Sequence, residues 1–312
     1  MARFFELKCL RMSAPSLAPA PAATLTSSRF QIIPSGNSLA ADIVGLDLSQ
    51  PLDSDTVAAL HAAWRTHLVL RIRGQSQLSV QEHIRFSSYF GVLDHRPVAA
   101  QAWHESTAAL PPEILVISNI KEGGKPLGGL GDGEAVWHAD MTYKPTPPKA
   151  AVLLAREVPP SGGDTHFSNL YEAYDTLPDT LRQRIEGLEC VHDASRNSAG
   201  MLRMGFVDNT DPRQTVGAVH PLVRTNPETG RKSLYLGRRR NAYIQGLDLQ
   251  DSEALLDALW AHATQPHLTW SQQWLVGDML IWDNRVTLHR RDAFDPASRR
   301  YMHRTQISEA AA

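Results

Sequence analysis

The sequence predicts a mainly β protein with flanking helices, an α+β chain whose core is a sandwich or jelly roll. Three observations carry this. Short β-prone runs are punctuated by Gly, Pro and Asp, the rhythm of an all-β core. Apolar residues at helical spacing occur in only a few segments between those runs. The length of 312 residues suits one large β domain, since such domains commonly run past about 200 residues.

Taken in chain order, residues 1–29 come first. Arg3, Glu6, Lys8 and Arg11 interrupt any secretory apolar core, and 13–23 is rich in Ala, Pro and Ser. That composition predicts a disordered tail ahead of a single domain over 30–312. Residues 54–67 carry Val57, Leu60 and Trp64 at helical spacing and run into Leu68, Val69 and Leu70, a helix feeding a strand. Ser79 to Glu82 has the capping-box pattern, opening a helix through Phe90 that Gly91 stops. Strands follow at 114–120, 136–141, 151–155 and 164–167, then a short helix at 181–186 ended by Gly187. The helix 252–264 puts Leu255, Leu256, Leu259 and Trp260 on one face, to be packed over a sheet. The last strands are 268–274, 279–282 and 301–307. Two stretches read as loops over a site: glycine-rich 121–133, and polar 194–214, whose Met201, Leu202, Met204 and Phe206 are expected to cover a substrate.

Composition narrows the class. Hydrophobic content of 42% with 21% charged residues is that of a soluble globular protein. A net charge of −2 argues against a general nucleic-acid binder, and no apolar run is long enough for a membrane span. Cys9 and Cys190 are the only cysteines, which leaves no disulfide framework and no thiolate cluster and points to a reducing cytoplasm.

The chemistry is concentrated in Trp137-His138-Ala139-Asp140 and, far downstream, in the run from Trp282 to His289 followed by Arg300. Side chains two apart in a strand share a face, so His138 and Asp140 can offer a nitrogen and a carboxylate oxygen to one metal. His289 supplies the third ligand. Two histidines and one carboxylate on one side of an octahedron leave positions open, which suits non-haem Fe(II) that must bind a cosubstrate and dioxygen. Arg300, eleven residues past His289, can grip the far end of a dicarboxylate through two charge-assisted hydrogen bonds. On a strand Arg300 and Arg304 would share a face with Met302, while Arg299, Tyr301 and His303 point away.

With these segments, and with Gly162-Gly163-Asp164-Thr165, His220 to Arg224 and Arg299 to Arg304, the chain resembles the taurine dioxygenase (TauD/TfdA) family over residues 30–307. The resemblance implies a double-stranded β-helix (jelly-roll) core, Fe(II) as metal, and 2-oxoglutarate and O2 as cosubstrates. It implies His138, Asp140 and His289 as iron ligands, Arg300 and Thr165 as 2-oxoglutarate contacts, and Arg304 as the holder of an anionic substrate. The implied reaction hydroxylates a substrate C–H while 2-oxoglutarate is decarboxylated to succinate and CO2. It also implies a homo-oligomer, dimer or tetramer. Against taurine dioxygenase itself, Arg96 replaces a sulfonate-contacting histidine and Glu134 an asparagine. These departures speak against taurine and for another small anion: a sulfonate, sulfate ester, phosphonate or aryloxyalkanoate, with Arg96 beside Arg304. The run Arg238-Arg239-Arg240 reads as an exposed or loop feature, with anion contact as the other option. A competing class is a non-catalytic jelly roll that binds a metal or small anion, against which the complete triad and Arg300 argue.

Overall fold

The computed structural model describes residues 25–26, 30–96, 104–133 and 135–309. Residues 1–24 and 27–29 of the expected tail, and Glu134, lie outside the described residues. Backbone pairing already begins at Leu25–Thr26, which joins Gln31–Pro34 inside the stretch expected to be tail.

Two sheets face each other. The larger runs Gln31–Pro34, Ala41–Val44, Val69–Ile72, Met279–Asp283, Ala150–Glu157, Tyr301–Ile307 and Leu115–Ser118, with two-residue strands at its margins. The smaller is ordered Thr269–Gln272, Thr165–Asn169, Thr287–Arg291, Ala135–His138. All pairings in the smaller sheet are antiparallel, and its strands come from distant parts of the chain, as in a jelly roll.

Alternation along the central strands explains the layering. Ala150, Val152 and Leu154 face one core with Met279 and Ile281, beneath the helices Ser54–His67 and Val80–Ser88. Ala151, Leu153 and Ala155 turn the other way, with Leu280 and Trp282, and meet Phe167 and Trp270 of the smaller sheet. The outer side of the smaller sheet is covered by Leu249–Ala263 through Leu255, Leu256 and Leu259. The functional residues lie at one end of the layer between the sheets.

Local signals set the helix ends. Asp53 caps Ser54–His67 by accepting from the Thr56 N–H, and Leu68 closes it in the left-handed region at φ 64°. Ser79 and Glu82 form the expected capping box, although the helix stops at Ser88 rather than Phe90. Asp248 caps the long helix, which begins at Leu249, three residues upstream of its expected start. The strand expected over 136–141 ends at His138. Asp140 sits in a turn, followed by Met141 at φ 54°, a conformation costly for a residue with a Cβ.

Candidate active site

Register across the smaller sheet assembles most of the site. His289 lies opposite His138 on one side and opposite Phe167 on the other. Arg291, two residues on, lies opposite Thr165. Directly opposed residues, and residues two apart on one strand, share a face. The inward face therefore presents His138, His289, Thr165 and Arg291 together, and all four line one cavity with Arg300 and Arg304. Leu153, Ile117 and Trp282 form its apolar wall.

The metal-ligand atoms of His138, Asp140 and His289 all lie within 4.8 Å of one another, and the three residues are buried. Asp140 is 3.7 Å from His138 Nε2 through Oδ1 and 3.9 Å from His289 Nε2 through Oδ2. His138 Nδ1 is 2.7 Å from the Val136 carbonyl, so that nitrogen carries the proton and Nε2 offers its lone pair inward. Burial, and His138 nearby, push His289 down to about 3, so its ring is neutral and able to ligate. Burial alone would raise the Asp140 carboxyl, but Arg304 and the two imidazoles hold it well below the usual carboxylate range. Two neutral nitrogens and one ionised oxygen are the donor set of a divalent transition metal, and the residues fit Fe(II).

Because the strand has ended before Asp140, something else must hold it. Asn284 does. Its Oδ1 accepts from the Asp140 N–H at 2.7 Å, while its Nδ2 donates to the carbonyls of Asp140 and Pro148, each at 2.9 Å. Asn284 lies within the run from Trp282 to His289, but nothing in a lone asparagine distinguishes a clamp from a turn. Its neighbours are scaffold. Asp283 and Arg285 form a fork-to-fork pair, and Arg285 also reaches Glu228 at 2.9 Å.

The far end of the cavity belongs to Arg300, only 2% exposed, whose Nε has no partner among the described residues. Burial, and then Arg291, pull its guanidinium down to about 9. Its backbone is fixed at both polar atoms: N–H donates to Asn119 Oδ1 at 3.0 Å, and the carbonyl accepts from Ser118 Oγ at 2.8 Å. Gly163 beside it takes φ 68°, a conformation strained for any L side chain, and a Cβ there would crowd Pro159 at 3.3 Å while making only ordinary contact with Arg300 Nε at 3.6 Å. Thr165 Oγ1 accepts from Trp274 Nε1 at 2.9 Å, which leaves its O–H free to donate to an anion. Arg304 Nη1 is 3.2 Å from Asp140 Oδ2. The expected alternation also appears at Arg299, which turns out to Glu157, and at Tyr301 and His303, which pack on each other.

Arg96 is not brought to this cavity. Its guanidinium donates to the carbonyls of Ala108, Leu110 and Pro111 at 2.6–3.0 Å, fastening two loop segments, so a substrate contact there is withdrawn. The loop 194–214, expected to cover a substrate, is described here without one. Met201, Leu202 and Met204 are exposed, Met204 by 92%, and Ser198 is its residue on the lining. Arg238, in the run expected as an exposed, oligomer or loop feature with anion contact as the other option, is buried.

A jelly roll holding a His–Asp–His triad beside a buried arginine defines a non-haem Fe(II) oxygenase of the 2-oxoglutarate type. Comparison with known proteins agrees. The family model for the taurine catabolism dioxygenase TauD, TfdA family matches residues 31–306, and the chain belongs to that family. It is similar to the pentalenolactone F synthase of Streptomyces arenae, 33% identical over 86% of this chain and 91% of that one. To the (S)-phenoxypropionate/alpha-ketoglutarate-dioxygenase of Delftia acidovorans it is 34% identical, over 89% and 95%. The structure of AAD-2 in complex with Mn(II) and N-oxalylglycine superposes with a TM-score of 0.74 at 30% identity, covering 90% of this chain and 98% of that one. Among the described residues no helix is long and apolar enough to cross a membrane.

Proposed function

We propose that the protein is a dioxygenase that hydroxylates a C–H bond of a small anionic organic substrate and couples this to conversion of 2-oxoglutarate to succinate and CO2. The substrate class is a sulfonate, sulfate ester, phosphonate or aryloxyalkanoate. The observation that carries this is one cavity lined by both histidines of the triad and by a buried Arg300 that has no carboxylate partner among the described residues. In this reading His138, Asp140 and His289 hold Fe(II), which when bound activates dioxygen for the oxidation.

The chain's own residues do the rest. Arg300 grips the distal carboxylate of 2-oxoglutarate, Arg291 adds positive charge beside it, and the Thr165 hydroxyl donates to the same carboxylate. Asn284 keeps the Asp140 backbone fixed while its side chain turns to the metal. Leu153, Ile117 and Trp282 exclude water from the reacting end. Arg304, which here leans on Asp140 at 3.2 Å, would hold the substrate anion when Asp140 serves the metal. Hydroxylation at a carbon bearing oxygen, nitrogen or sulfur collapses with cleavage of that bond. The same reading makes the protein a cytoplasmic homo-oligomer, dimer or tetramer, with neither nucleic acid nor membrane as partner; sedimentation velocity tests the assembly.

The direct test is anaerobic addition of Fe(II) and then 2-oxoglutarate. A weak visible charge-transfer band that saturates at one equivalent per chain supports the reading. An iron-loaded protein that develops no band would make it a binding module instead.

A further inference from the structure

We propose that Arg238 is a second anion-binding residue of the substrate site, acting with Arg304 on the substrate's acidic group. This rests on the function proposed above and deepens it.

Placement comes first. Arg238 forms an isolated antiparallel bridge with His138, on the edge of the smaller sheet away from His289, and the Ala139 N–H donates to the Gly237 carbonyl at 3.1 Å. Residues directly opposed in an antiparallel pair put their side chains on one face, closest where the pair is not itself hydrogen-bonded. Arg238 therefore stands beside the His138 imidazole on the inward face, as the next member of the row made by His138, His289 and Phe167.

Burial and pairing come next. Arg238 is 9% exposed, its Nε has no partner, and its side chain makes one hydrogen bond among the described residues, Nη1 to the Arg196 carbonyl at 2.6 Å. No carboxylate pairs with it there. A buried guanidinium without a counter-ion is costly. Arg203 lies over the Tyr143 ring, 3.9 Å from its centroid. Arg304 enters from the opposite sheet and leans on Asp140, one of the three residues that would hold the metal. With Asp140 committed to that role, neither Arg238 nor Arg304 would keep a carboxylate of its own among the described residues, and the two would flank the triad from two sides. Arg196, by contrast, is paired with Asp208, and Arg96 is satisfied by carbonyls.

The ligand this fits is an oxyanion joined to the carbon to be oxidised. The test uses the Fe(II)- and 2-oxoglutarate-loaded protein without oxygen, titrated with hexyl sulfate, 2-phenoxypropanoate and the uncharged 2-phenoxypropanamide, reading the visible band. Thermal midpoints of metal-free protein with each probe give a second, metal-independent readout. Arg238→Gln is expected to weaken the better-bound acid at least tenfold, while amide and 2-oxoglutarate affinities change less than twofold; whichever acid binds identifies the oxyanion. Arg238→Lys, which keeps the charge and loses the fork, should weaken it about threefold and serves if the glutamine variant does not fold. Equal weakening of acid and amide, or unchanged acid affinity, would overturn the inference alone. Binding of neither acid to the wild-type protein would overturn the inference alone, whereas iron-loaded protein that forms no visible band with 2-oxoglutarate would overturn the reading beneath it.

Discussion

The two ends of the cavity are built differently. At the far end, Arg291, Thr165 and Trp274 come from or beside strands in register, and Arg300 precedes a strand whose pairing fixes it. Elsewhere on the lining Ser198 comes from the irregular segment 194–214, and Arg238, beyond His138, is joined to the sheet by a single bridge. In the proposed reading the regular sheet would fix the cosubstrate's place, and loops, which can vary without disturbing it, would choose the substrate. The triad lies at the boundary, with two ligands on strands and Asp140 just beyond one.

That division can be broken by mutation. The largest effect belongs to the boundary: His138→Ala or Asp140→Ala should abolish succinate formation, a loss of at least about 10³-fold in turnover. Next, the two ends should separate kinetically. Arg300→Ala should raise the KM for 2-oxoglutarate about 10²-fold with little change in substrate KM, as loss of a bidentate charged contact implies, and Arg304→Ala should do the reverse. If both variants raise both constants alike, the ends are not separate sites. Asn284→Ala should weaken metal binding about 10–100-fold, as for other residues that orient a ligand, measured by competition titration with a chromophoric chelator.

Acid should act through buried histidines outside the triad. Burial, and then His220, push His192 down to about 3, and burial, then His303, do the same to His83, from an ordinary 6.5. Their neutral forms are the native ones, so their contribution is complete above pH 6.5 and is lost as pH falls towards 3. At pH 5 the loss is on the order of 2 kcal/mol per histidine, visible as a lower urea midpoint than at pH 7.5. His192 packs against Gly237, where a Cβ would meet its Nδ1 at 2.2 Å, so the segment carrying Arg238 depends on it. The smallest effect is at Arg96: alanine there should leave substrate affinity unchanged and cost about 1–3 kcal/mol of stability through orphaned carbonyls.

Legibility in the sequence followed the same division. The helix Ser54–His67 and the strand Tyr301–Ile307 have the expected bounds because caps and alternation are local signals. The strand Thr287–Arg291, which carries His289, was not anticipated as a strand, since Thr-Leu-His-Arg-Arg has little β character and is held by neighbours on both sides. Asp140 was expected within a strand and sits in a turn, because the Asn284 clamp acts across 144 residues. Arg96 and Arg238 exchanged expectations. Whether an arginine faces solvent, carbonyls or a cavity is decided by partners distant in sequence, and the residue type carries no record of them.

The most direct test of the account is oxygen-dependent succinate formation from 2-oxoglutarate, with Fe(II) and ascorbate, across alkyl sulfates, sulfonates, phosphonates and aryloxyalkanoates. The account predicts that one anionic class stimulates succinate well above the substrate-free rate, with one hydroxylated or cleaved product per succinate. Iron-loaded protein that makes no succinate with any of them would contradict it.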